Sequence, residues 1–267
     1  MSSENALAEL RLTTRAEHER VERILQWGEP MPLARYGAIL CGFDAFLRTW
    51  EPRLHAALPV RLQAWFRARR RGGLASADVE WLRAVAGLAP VALRADRAST
   101  LTLADPAEAM GSLYVIEALG VDARAAAARL QRPLGVGPGR GASFLHGFGG
   151  ETATMWDNFR MQAALEIGDS PRNTARACDS ARRTLAALVD LFAPLAPPEA
   201  AAVPDEPPNR IAPALLRVYG AAGGEPPLAD IPIDLPAEDD SEDVPTLVEL
   251  PIDAGEDEGG DTQRVPL

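Results

Sequence analysis

The stretch GSLYVIEALGVDARAAAARL, residues 111–130, lies inside one long predicted helix. Upstream of it, the sequence DPAE has the form of a helix start: Asp105 can cap the helix, Pro106 suits its first position, and Glu108 can complete a capping box. Downstream, the glycine-rich sequence GVGPGRG at residues 135–141 interrupts the helical pattern. We therefore predict one helix from this start signal to about residue 130.

The rest of the first 200 residues follows the same pattern of helices separated by short loops. Apolar residues recur there at helical spacing, and no stretch alternates in the way that strands joined by hairpins do. These residues are therefore predicted to form an all-α domain over 1–200. Its other predicted helices span about residues 6–27, 59–73, 76–88, 152–165 and 171–192, and one more begins near Pro32. Ser76 is the predicted cap of the helix at 76–88, and Ser170 precedes the last helix.

The final segment, residues 201–267, has a different composition. From Pro204 onward it carries sixteen acidic residues against three arginines and 11 of the 23 prolines, so its net charge is −13 and the rest of the chain has +2. Such a segment buries too little apolar surface to offset its chain entropy, and we predict a mostly disordered tail. The alternative is a linear motif that binds a protein partner. Its negative charge argues against binding nucleic acid or anionic membranes.

The cellular compartment can be predicted from the N-terminus and the cysteines. The first residues are polar and lack the apolar core of a secretory signal, and no apolar run is long enough to span a bilayer. The two cysteines, Cys41 and Cys178, lie far apart in apolar helical stretches, which favours free thiols over a disulfide. A cytoplasmic protein is expected.

The three histidines are the first candidates for chemistry, and His18 stands apart from His55 and His146. It lies on the apolar face of the first predicted helix. No group of Cys and His has zinc-site spacing, and neither a phosphate-binding glycine loop nor a Gly-x-Ser-x-Gly nucleophile motif is present. Taken alone, His18 is either a core residue or a metal ligand.

Three separated motifs resemble those of haem oxygenases, in order and in register. LRLTTRAEHERVE at residues 10–22 resembles the first helix of that family, which supplies the axial iron ligand. GSLYVIE at residues 111–117 looks like the start of its distal helix, and FLHGFGGETATMWDNF at residues 144–159 is similar to a stretch in its bacterial members. The resemblance covers residues 7–195 and is strongest to the bacterial enzymes that produce biliverdin. It implies a haem-oxygenase-like multi-helix bundle.

The resemblance also assigns residues to a haem site. His18 matches the axial iron ligand, since a neutral imidazole has a lone pair that can bind haem iron. Without the resemblance, each of the other matched residues would be interpreted as an ordinary helix-surface or core residue. They are Arg11 and Tyr114 at the haem propionates, Glu22 as a polar neighbour on the first helix, and Trp156 and Phe159 in the pocket wall.

The distal helix departs from the family pattern, which has glycines where the helix passes over the haem face. A gapless match places Ala118 and Asp122 at those positions, with Ala123 next. Their side chains add a methyl group and a carboxylate where glycine would permit close approach. A two-residue deletion would instead retain Gly120 at a glycine position, at the expense of the register in the rest of the helix.

Two functions follow from the resemblance and from this departure. In the first, the protein is a haem oxygenase that cleaves haem to biliverdin, carbon monoxide and iron, with His18 and Asp122 as catalytic residues. The resemblance then implies an external electron donor of the ferredoxin or flavodoxin type, and Asp122 would organise the distal water. In the second, Ala118 and Asp122 obstruct the haem face, and the protein is a non-catalytic module that binds haem, senses a ligand or binds a partner.

Overall fold

The computed structural model describes residues 4–87, 93 and 95–197, so the predicted tail at 201–267 lies outside the described residues. Within them the chain is helical and contains no β-strand, only isolated bridges at Gly137. The predicted all-α class is confirmed for this part of the chain. Its helices are α1 (Glu4–Leu25), α2 (Leu33–Ala57), α3 (Val60–Arg67), α4 (Gly72–Ala86), α5 (Asp96–Thr100), α6 (Pro106–Leu134), α7 (Ser143–His146), α8 (Thr152–Ile167) and α9 (Pro171–Phe192).

The long helix α6 begins where its sequence predicts. The Asp105 side chain accepts a hydrogen bond of 2.9 Å from the Glu108 backbone N–H, and Pro106 occupies the first helical position. The Glu108 carboxylate accepts from the Ala104 backbone N–H, one residue before the partner that a capping box has. The helix ends at Leu134 instead of near residue 130. The next residue, Gly135, adopts a left-handed conformation with φ of 67°, which is typical of a helix C-terminus.

Helix α9 packs against both α1 and α6 and so holds these two helices in place. Its closest approach to α6 is at Gly111, where a Cβ atom would lie 2.0 Å from the Ala177 carbonyl oxygen. Next to this contact, the Trp50 indole N–H donates to the Ser112 hydroxyl at 2.8 Å, and Ser112 shares a hydrogen bond of 2.7 Å with Thr184. This buried polar chain joins α2, α6 and α9.

The predicted start of the fourth helix is wrong. Helix α4 begins at Gly72, and the carboxylate of Glu51 accepts hydrogen bonds of 2.8 Å from the backbone N–H groups of Arg71 and Gly72. A side chain from α2 therefore satisfies this helix terminus. The Ser76 hydroxyl, predicted as the cap, donates instead to the carboxylate of Asp44.

Two further sequence expectations concern the cysteines and the membrane. Cys41 and Cys178 are both free thiols, as predicted. Among the helices of the described residues, none combines the length and the hydrophobicity needed to cross a bilayer.

Candidate functional site

The candidate site lies where side chains of α1 and α6 meet. His18 projects from α1, is only 7% exposed, and places its Nε2 atom 3.5 Å from Oδ2 of Asp122 on α6. Neither atom has a hydrogen-bond partner, and both are shielded from solvent. An unpaired buried donor or acceptor is rare in proteins, and its explanations are strain, a catalytic role, or a bound ion or water.

Glu22 completes a cluster of three possible ligands with His18 and Asp122. One ligand atom from each of the three side chains lies within 4.8 Å of the other two. His18 and Glu22 are four residues apart on α1, a spacing that places two side chains on the same face of a helix. The sequence predicts that these two share a face, and the fold adds Asp122 from a helix about 100 residues away.

Burial governs the electrostatics of this cluster. Loss of solvation lowers the pKa of His18 to about 4, so its imidazole is neutral at pH 7. Loss of solvation also raises the pKa of Asp122 to about 7, with the Glu22 carboxylate adding to the effect. The pKa of Glu22 is raised as well, first by burial and then by the neighbouring Glu19. The folded protein thus disfavours negative charge here unless a proton or a cation compensates it.

A second contact between α1 and α6 involves Tyr114. Burial raises the pKa of Tyr114 to about 12. A hydrogen bond with Thr14 and the positive charge of Arg11 act in the opposite direction and lower it. The Tyr114 ring lies 6.1 Å from that of Trp156, measured between centroids, and Trp156 stacks on Phe159 at 5.6 Å. The structure therefore brings Arg11 and Tyr114 together about two helical turns from the His18 cluster.

The rotation of α6 about its axis decides which residues face His18. Asp122 faces it, whereas Gly120 lies against the side chain of Arg71, the residue before α4, so that a Cβ atom there would be 2.4 Å from the Arg71 guanidinium. Asp122 and Gly120 therefore lie on different faces of α6, and only Asp122 contacts the candidate site. Ala118 precedes Asp122 by one turn on the same helix and is buried, as is Ala123.

A buried ion network that the sequence analysis missed lies on the Gly120 side of α6. Glu117 pairs with Arg69 at 2.8 Å and has Arg71 at 3.7 Å, and all three side chains are at most 3% exposed. The Arg71 guanidinium also lies over the Phe148 ring at 4.9 Å. The signal in the sequence was Glu117 itself, since it lies on a helix that is apolar on all sides. A carboxylate buried on such a helix needs a cationic partner.

Comparisons with known proteins add no family to this description. No family model matches the chain, and no curated protein matches it at a significant level. A proposal for its function therefore rests on the motifs in its sequence and on the geometry of its residues.

Proposed function

We propose that this protein binds haem through His18 and is a haem oxygenase, converting haem to biliverdin, carbon monoxide and iron. The observation that carries the proposal is the Nε2 atom of His18, which is buried, has no hydrogen-bond partner and faces α6. The sequence resemblance assigns the axial iron ligand to this residue and the distal helix to α6. An external electron donor, of the ferredoxin or flavodoxin type, is part of the proposal.

The protonation state of His18 suits axial ligation of iron. With a pKa near 4, the imidazole keeps its lone pair free at neutral pH, and no proton has to leave before a metal binds. Bound haem would supply the iron centre at which oxygen is reduced. His18 would hold that iron in place.

Other residues of the site have chemistry that suits the remaining tasks. Tyr114, with a pKa of about 12, stays protonated and can donate a hydrogen bond to a propionate, and Arg11 brings a positive charge to the same end of the site. Asp122, with a pKa of about 7, can take up and release a proton at Oδ2 near neutral pH. Ala118, Trp156 and Phe159 would shape the pocket.

The residue types at the site suit haem binding, but the short distance between His18 and Asp122 does not. A metal–imidazole bond alone takes roughly 2 Å, so the 3.5 Å between Nε2 of His18 and Oδ2 of Asp122 leaves no room for iron and a porphyrin ring. Haem uptake therefore requires the Asp122 side chain to move away from His18. This same distance favours the second candidate function, a non-catalytic member of the fold in which Asp122 keeps the haem face closed.

Turnover distinguishes the two functions. The full-length protein is mixed with haemin, a reductant is added in air, and the absorption of biliverdin is followed. We expect biliverdin from the wild type and none from His18→Ala. His55→Ala is a matched control, because His55 lies near the end of α2, next to Phe66 and away from the site. Haem binding without biliverdin would contradict catalysis, and no haem binding would contradict the haem oxygenase and favour the second function, in which Asp122 keeps the haem face closed.

A further inference from the structure

We propose that His18, Glu22 and Asp122 form a binding site for a first-row divalent metal ion in the haem-free protein. The site would be occupied by an ion such as Fe²⁺, Mn²⁺, Co²⁺ or Zn²⁺, held by one imidazole and two carboxylates. It uses the same Nε2 atom that haem would need, so the metal ion and haem exclude each other. The inference does not depend on haem binding.

The geometry of the three side chains is close to that of a coordination sphere. Their ligand atoms lie within 4.8 Å of one another, and those of His18 and Asp122 are 3.5 Å apart. Bonds from a metal ion to nitrogen and oxygen are roughly 2.0–2.2 Å long, so ligands around one ion are about 3 to 4.4 Å apart. Small side-chain rotations would bring all three atoms to one ion.

The unpaired atoms provide an observation that is independent of this clustering. Nε2 of His18 and Oδ2 of Asp122 face each other, are shielded from solvent and have no hydrogen-bond partner. A hydrogen bond between them would satisfy both atoms, but their arrangement does not form one. A cation bound between the imidazole and the two carboxylates would give Nε2 and Oδ2 a partner, because each of the three groups has a lone pair that can bind it.

Charge and ligand type narrow the choice of ion. Two ionised carboxylates and a neutral imidazole carry a charge of about −2, which a divalent cation compensates. Imidazole suits the borderline first-row ions, whereas Mg²⁺ and Ca²⁺ prefer oxygen ligands alone. Access is provided on the side of Asp122, whose side chain is 25% exposed, and Glu22 is also only partly buried.

Co²⁺ is a suitable probe, because its visible absorption reports the atoms that coordinate it. The full-length protein is titrated with Co²⁺ without haem, and the wild type is compared with His18→Ala, Glu22→Gln and Asp122→Asn. We expect saturable binding of one Co²⁺ by the wild type and a dissociation constant about tenfold or more higher in each variant. Thermal unfolding of every variant shows that it is folded, and the wild type alone should gain stability from Co²⁺ at the concentrations used.

The acidic residues after Pro204 are an alternative source of Co²⁺ binding, and binding there would persist unchanged in the His18, Glu22 and Asp122 variants. Glu17→Gln removes one carboxylate from α1 at a position that pairs with Arg182 instead of facing Asp122. It should bind Co²⁺ like the wild type. Equal binding by all variants, or no saturable binding by the wild type, would overturn the inference.

The haem proposal and the metal inference fail in different ways. Co²⁺ binding without haemin binding would support the metal site and contradict the haem proposal, and the reverse result would do the opposite. If both ligands bind, Glu22→Gln should lose Co²⁺ and retain haemin, and saturating Co²⁺ should weaken haemin binding to the wild type. Simultaneous, independent binding of both would refute the shared use of His18.

Discussion

Replacing Gly111 with alanine should destabilise the fold, because the backbone of α9 occupies the space that a side chain would need. A Cβ atom at this position would lie 2.0 Å from the carbonyl oxygen of Ala177 and 2.7 Å from its Cα atom. Ordinary contacts begin near 3.4 Å, so the two helices would have to separate locally by about 1.4 Å. The obstacle is backbone, which cannot rotate away as a side chain can.

Two opposing effects set the size of the change. Overpacking a well-packed interior costs typically about 1–3 kcal/mol and occasionally more, and a clash with backbone belongs at the upper end of that range. Alanine in place of glycine within a helix returns about 1 kcal/mol. The expected net loss is about 2 kcal/mol, which corresponds to a decrease in Tm of about 4–8 °C for a domain of this size.

Gly73→Ala in α4 is the matched control, since a Cβ atom there meets nothing within 4 Å. We expect this variant to be unchanged or up to about 1 kcal/mol more stable than the wild type. Thermal unfolding followed by circular dichroism measures both variants against the wild type. A Gly111→Ala protein as stable as Gly73→Ala would refute the close contact between α6 and α9.

Three further predictions concern groups at or beside the site. Glu117→Gln should lower the free energy of unfolding by about 3–5 kcal/mol, measured by urea denaturation, because it leaves the buried Arg69 without its anionic partner; a loss below 1 kcal/mol would contradict this. Asp122→Gly should tighten haemin binding in a spectroscopic titration, because it removes the carboxylate 3.5 Å from His18; unchanged or weaker binding would show that Asp122 does not obstruct the site. The stability of the wild type relative to His18→Ala, measured with a chelator present, should fall as the pH decreases from 6.5 to about 4, because the imidazole takes up a proton there only in the unfolded chain. The slope should approach 1.4 kcal/mol per pH unit, and a flat or opposite dependence would contradict the burial of His18.

Local signals in the sequence predicted much of the helical structure. The cap at Asp105 and the proline after it fixed the start of α6, and Ser170 likewise accepts a hydrogen bond from the backbone N–H of Asn173 at the start of α9. These signals work because the cap and the helix it serves are only three residues apart. The start of α4 could not be found in this way, since its cap is Glu51, some 20 residues earlier on another helix.

The GSLYVIE motif illustrates how a family resemblance can report on packing. Gly111 permits the contact with α9, Ser112 bonds Trp50 and Thr184, and Glu117 pairs with buried arginines. None of these contacts involves the candidate site. These three residues therefore account for how α6 is held in place, whereas Tyr114 of the same motif faces α1.

The candidate site was partly accessible from sequence. The spacing of His18 and Glu22 places them on one face of α1, and the gapless register places Asp122 on the face of α6 opposite them. The 3.5 Å separation of His18 and Asp122, and their lack of hydrogen-bond partners, depend on how α9 positions both helices. No local pattern encodes that arrangement, so the distance between these two side chains could not be predicted from the sequence.

The most direct test of the central claim is a haemin titration of the full-length wild type and of His18→Ala, followed by absorption spectroscopy. With His18 as the axial ligand, the wild type should develop a Soret band that saturates at one haemin per chain. His18→Ala should lose this band, and free imidazole should restore it by replacing the missing ligand. An identical band and affinity in both proteins, or no saturable band in the wild type, would contradict the assignment of His18 as the haem ligand.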